Sequence, residues 1–171
     1  MLKRLLICLV VTALFSVQHS FSQSKEQVYA GIIFHIMKYV EWPGNAEMSN
    51  MTVGVLNDNQ LTAALNKVAQ GKRIVFKDIQ IVKFAELTAL KNTNILFIPQ
   101  KMTSDLGKIM DNVNTKEILV ISEKKKKEHN GASINFVEQG GRMRFEVYEA
   151  VFAQTALKMS EQLKKYAIIK A

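Results

Sequence analysis

GASINFVEQGGRMRFEVYEAVFAQTALKMSEQL, residues Gly131–Leu163, is the stretch whose reading decides the fold class. In its middle Met143, Phe145 and Val147 alternate with Arg142, Arg144 and Glu146, the two-residue period of a strand with one buried face and one wet, charged face. Ile134 and Phe136 keep that period upstream, and Gly140-Gly141 supplies the positive φ values that a tight hairpin connection needs. From Glu149 the period becomes helical. Phe152, Ala156, Met159, Leu163 and Tyr166, spaced four, three, four and three apart, form one apolar stripe. The stretch therefore predicts a hairpin handing over to a long C-terminal helix, a unit that must dock on something larger. The stripe would also permit a helix-to-helix contact between two copies.

The upstream chain supplies what it docks on. Glu26–Glu41 reads as a largely buried helix, with Val28, Ile32, Ile33, Ile36, Met37, Tyr39 and Val40 covering a wide arc. Trp42-Pro43-Gly44 stops it, because proline cannot continue the backbone ladder, and Trp42 reads as a structural plug at the helix end. Met51–Leu56 is an apolar strand, Asn57-Asp58-Asn59 caps a helix over Leu61–Gln70, and Gly71 ends that helix. Lys72–Lys83 reads as one strand with an irregularity or as two half-strands, with Asp78 between its apolar groups. Glu86–Leu90 suits a turn of helix. Ile95–Ile98, apolar on both faces, suits a central strand covered on both sides. A helix over Thr103–Val113 and a buried strand over Glu117–Ile121 complete the alternation. The expectation is a single α/β domain over residues 23–171, with a mixed sheet of roughly six strands and helices on both faces, ending in the hairpin and long helix.

Residues 1–22 stand apart. A basic start at Lys3-Arg4, an apolar run of 13 residues over Leu5–Val17, and small residues at Ser20 and Ser22 predict a cleaved secretory signal peptide, hence export to the periplasm. The run is shorter than the ~20 residues of a spanning helix. Taking 22 residues from 171 leaves 149 and removes Cys8, the only cysteine, so disulfide, thiol and thiolate-metal chemistry are not expected in the remainder. That remainder has 21 basic and 15 acidic residues, a net +6, which favours anionic surfaces such as lipid headgroups. Nucleic acid is not an expected partner, because no basic stretch is interleaved with stacking aromatics.

The candidate sites are few. His35 and His129 lack acidic or histidine neighbours at helical spacing, so no metal site and no cofactor are expected. Gly71-Lys72-Arg73 lacks the other parts of a phosphate loop and reads as a helix stop before a strand end. No nucleophile elbow occurs, and Glu41, Glu138 and Glu146 have no spacing that selects a carboxylate pair, so the reading is non-enzymatic. Lys124–Lys127 reads as a solvated loop. Arg142, Arg144 and Glu146 form the partner- or ligand-binding candidate. They line one strand face, where arginine forks would suit carboxylates of a partner or small anion.

Lys38-Tyr39-Val40-Glu41-Trp42-Pro43, Val53-Gly54-Val55-Leu56, Ile95-Leu96-Phe97-Ile98 and Gly140-Gly141-Arg142-Met143-Arg144-Phe145-Glu146-Val147 occur here in that order. As an ordered set they resemble the YfiR family of exported bacterial proteins, over about Val28 to Ala167. The resemblance implies a periplasmic homodimer that represses a membrane-bound signalling protein through its periplasmic domain. In the best-known case that partner is a diguanylate cyclase, placing the repressor in cyclic-di-GMP signalling, and an outer-membrane lipoprotein relieves the repression. A histidine kinase or another sensor is equally compatible as target. Two departures stand out: the absence of a cysteine after residue 22, where the best-known member has disulfides, and Tyr148 where the family often has asparagine. The alternative expectation is a periplasmic small-molecule binding protein that uses the charged face of the Arg142–Tyr148 strand.

Overall fold

The computed structural model describes residues 23–44, 46–86, 90, 92–111, 113–123 and 131–171. The expected signal peptide, the Lys124–Lys127 run and His129 lie outside these residues, as does most of the turn expected over Glu86–Leu90. Helix α1 (Lys25–Tyr39) opens with a capping box: the Ser24 hydroxyl accepts from the Gln27 N–H, and the Gln27 side chain accepts from the Ser24 N–H. It ends two residues before the predicted boundary, because Val40–Glu41 becomes extended as β1. Trp42 is buried, and its Nε1 donates to the Asn94 carbonyl at 3.2 Å.

Strand β2 (Asn50–Leu56) leads to α2 (Asn59–Ala69), whose first turn is capped by Asp58 accepting from the Leu61 N–H. Of the two readings of Lys72–Lys83, one irregular strand or two half-strands, the second forms, as β3 (Arg73–Ile74) and β4 (Lys77–Phe84). Strand β5 (Ile95–Ile98) runs through a 3-10 segment (Gln100–Asp105) into α3 (Leu106–Asp111), so of the helix expected over 103–113 only residues 106–111 are assigned α-helical. Strands β6 (Leu119–Glu123), β7 (Ile134–Gln139) and β8 (Arg142–Tyr148) follow.

These strands belong to a mixed sheet of eight, in the order β10-β8-β7-β6-β5-β2-β4-β3. β4, β2, β5, β6 and β7 run parallel, while β3 is antiparallel to β4 at one margin and β8 is antiparallel to β7 near the other. The expected count of six was short because β3 is a separate marginal strand and because the last segment, β10 (Ile168–Lys170), lies parallel to β8. Along the central strands the residue parity sorts the core. Val53, Val55, Ile95, Phe97, Leu119 and Ile121 pack with Ile33, Ile36, Leu61, Leu65 and Leu163 on one face. Leu56, Leu96, Ile98 and Val120 pack with Leu106 and Ile109 on the other. Full burial of each such side chain contributes about 1.5–3 kcal/mol. Helices therefore cover both faces.

The long C-terminal helix is not formed. In its place stand α4 (Glu149–Phe152), β9 (Lys158–Met159), α5 (Glu161–Tyr166) and β10. Local side-chain bonds compete with the helix ladder here. The Thr155 hydroxyl donates to the Phe152 carbonyl and accepts from the Leu157 N–H, and the Ser160 hydroxyl accepts from the Leu163 N–H to start a new helix. β9 pairs antiparallel with β1, Val40 opposite Met159, in a separate two-stranded sheet. Of the predicted stripe, Phe152 and Leu163 are buried but Ala156 and Tyr166 are exposed.

Two turns and one strand position need unusual backbone or space. Gly140 and Gly141, at φ 59° and 70°, close the β7–β8 hairpin in two residues, as their sequence predicts. Val75 and Phe76, at φ 48° and 66°, close the β3–β4 hairpin with the same left-handed pair of conformations. Residues with side chains hold such conformations at a cost of order 1–3 kcal/mol each, and a β-branched valine is the worse case. Within β2, a Cβ on Gly54 would fall 2.6 Å from a ring carbon of Phe84, so only glycine lets that ring cross the strand.

Candidate functional site

The hairpin places the three predicted site residues on β8, but the structure divides them. Arg142 and Arg144 are exposed near the Gly140-Gly141 turn, and neither forms an ion pair among the described residues. Glu146 turns into a polar seam. Its side chain is only 15 % exposed, its Oε2 accepts from the Tyr148 hydroxyl at 3.0 Å, and its Oε1 lies 3.3 Å from Lys170 Nζ on β10. Register explains the contact, since Ile168 stands opposite Glu146 and Lys170 opposite Tyr148. Behind it Ser122 donates to Asn135 between β6 and β7. Burial pushes the Tyr148 phenol above its ordinary pKa, with Asn135 opposing and Glu146 reinforcing the shift. The position where an asparagine was anticipated thus carries a phenol that buttresses Glu146.

Strand order creates a second locus that the sequence did not signal. β2 comes first in chain order within the sheet, β4 lies on one side of it and β5 on the other, so the order reverses between β2 and β5. Open α/β sheets hold ligands outside the carboxyl ends of their strands at such a reversal. Here a crevice of about 660 Å³ lies there, lined by Asn57, Asn59, Gln100, Lys25 and Glu123 among others. Three of its charged side chains, Lys25, Glu123 and Asp58, are already engaged. Lys25 pairs with Glu123, the Gln100 N–H donates to the same carboxylate at 3.4 Å, and Asp58 is spent on the α2 cap. Lys83 reaches the Asn59 side chain at 2.9 Å. Burial, then the Glu123 carboxylate, raises the pKa of Tyr29 far above the ordinary phenol range. The crevice offers side-chain amides for hydrogen bonding.

His35 is half-buried in α1 between Tyr39 and Tyr166, with ring centroids 4.7 and 5.0 Å away. Burial, then the nearby Lys38 charge, lowers its pKa, and its buried Nε2 has no hydrogen-bond partner among the described residues. No group of three or more His, Cys, Asp or Glu side chains among those residues is placed to hold a metal ion. No helix among them is long and apolar enough to cross a membrane.

Comparison with known families matches residues 26–167 to the YfiR/HmsC-like family, a span that takes in both hairpins, the crevice lining except Lys25 and the seam except Lys170. The chain belongs to the YfiR/HmsC-like family. No curated protein matches it. Within this YfiR/HmsC-like chain the exposed arginines lie on β8 and the seam between β8 and β10, while the most exposed large apolar side chains among the described residues lie at the opposite margin, on Val75 and Phe76. Sequence reasoning missed that pair because Ile74-Val75-Phe76 reads as one continuous strand. The turn falls two residues before Asp78, where polarity suggested the break.

Proposed function

We propose that the protein is a periplasmic, non-enzymatic regulator that binds and represses the periplasmic domain of a membrane-bound signalling protein of the diguanylate cyclase or histidine kinase type. Membership of the YfiR/HmsC-like family over residues 26–167 supports this reading and, with it, a role in cyclic-di-GMP signalling. In this role it acts as a homodimer, and an outer-membrane lipoprotein is the counterpart that relieves repression. Arg142 and Arg144 are the proposed contact residues. Both are exposed on a rigid strand rather than on a loop, and arginine forks bind partner carboxylates in pairs of hydrogen bonds. Glu146 supports that strand from the seam behind.

Formaldehyde crosslinking in cells tests the proposal. Capture of a membrane protein with a periplasmic domain, lost in Arg142→Ala/Arg144→Ala, is the expected result. Failure to capture any membrane protein under any growth condition sinks it.

A further inference from the structure

We infer that the Val75-Phe76 turn is an insertion tip that seats this protein on an anionic lipid surface. Val75 is 61 % exposed and Phe76 87 %, the two most exposed large apolar side chains among the described residues. They form the whole connection between β3 and β4, with Ile74 opposite Lys77, at the margin of the eight-stranded sheet. Both adopt left-handed backbone conformations, where Asn-Gly would sit without strain. A valine and a phenylalanine that hold strained backbone while packing against little within the fold point to a gain made outside the chain.

The charges around the tip say what kind of surface it meets. Lys72 and Arg73 are exposed beside it, Lys77 on the other side is buried, and the exposed Lys67 stands with Lys72 and Arg73 along the crevice behind. The single acidic neighbour, Asp78, is paired with Arg73 at 2.9 Å. Residues 67–78 thus expose three cations, Lys67, Lys72 and Arg73, against one anion. Size separates a lipid surface from a protein one. A stable protein interface takes about 800 Å² from each partner, and a two-residue turn supplies a small part of that. A bilayer interface needs only the apolar side chains immersed at the boundary of headgroups and acyl chains, with lysine and arginine among the phosphates. The inference goes beyond the regulatory role and does not depend on it.

Sedimentation of the purified protein with phosphatidylglycerol/phosphatidylcholine vesicles and with phosphatidylcholine vesicles tests it. Binding to the anionic vesicles, weak or absent on the neutral ones, is expected, and Val75→Asn/Phe76→Gly should reduce the anionic partition about tenfold or more. That variant suits the turn, so a cooperative melt at or above the parent temperature shows that the fold is intact. As a second readout, Phe76→Cys in a Cys8→Ser background, labelled with a polarity-sensitive dye, should blue-shift on adding anionic vesicles. Equal binding by the folded turn variant, equal binding to neutral vesicles, no binding at all, or a dye that stays in water would each overturn the inference. Loss of partner capture by the turn variant without any vesicle binding would assign the tip to protein recognition instead.

Discussion

The molecule contains two hairpins closed by the same pair of left-handed residues, one relaxed and one strained. At β7–β8 the pair is Gly140-Gly141, which has no side chains to object, and the strands beyond it bury Phe136, Phe145 and Val147 in the core. At β3–β4 the pair is Val75-Phe76, and the side chains extend into solvent. Equal backbone geometry with opposite side-chain chemistry separates a turn chosen for folding from one retained at a cost to folding. The glycine hairpin orders a sheet margin, and the apolar one advertises a surface.

The most severe way to break this comparison is to exchange the turns. Gly140→Val/Gly141→Phe should destabilise the protein by about 2–5 kcal/mol in urea unfolding, from strain at two positions. An unchanged midpoint would mean that the Val75-Phe76 backbone is not strained either. Next in size, Gly54→Ala forces a methyl against the Phe84 ring and toward Thr93, at 2.6 and 3.0 Å, and should cost about 1–3 kcal/mol. Hydrogen exchange would sharpen the contrast. Because Phe84 lies on β4, protection should fall first in β4 and β3 and last in the glycine hairpin.

Val75→Asn/Phe76→Gly should raise stability by about 1 kcal/mol in the same assay, since the new pair prefers the conformation the old pair was forced into. A loss would show that the exposed side chains hold the hairpin together. The smallest effect is a pH dependence at the relaxed margin, where His35 lies against Tyr166. Its folded pKa is lowered by burial first, so the unfolded chain takes up a proton before the folded one does. This contribution is complete above the unfolded pKa of about 6.5 and is lost as pH falls from there through the lower folded value. Stability measured across that window should decline less in His35→Phe than in the parent.

Much of this fold was legible because its signals are local. The apolar runs of β2, β5 and β6, the Asp58 cap and the Gly140-Gly141 turn each declare themselves within a few residues. The C-terminal region did not, because the four-three spacing of Phe152 to Tyr166 arose from side chains on separate short elements. Thr155 and Ser160, whose hydroxyls take over backbone bonds, were the overlooked breakers. For the proposed site, Arg142 and Arg144 face solvent as alternation implies. Glu146 shares their parity but is drawn into the seam by Lys170, a partner from 24 residues onward that no periodicity reveals. The crevice at the order reversal depends on which strands are neighbours, a property of tertiary pairing rather than of any one segment.

The small β1–β9 sheet carries a consequence for assembly. It joins Val40 to Met159 across 119 positions of sequence, and the Ser160 N–H adds a bond to the Tyr39 carbonyl beside it. Contacts between such distant positions form late, after the intervening chain has been ordered. The end of the first helix therefore waits for almost the last residues to be made, and a chain terminated after Tyr148 would have every central strand yet lack the clasp that fastens its beginning to its end.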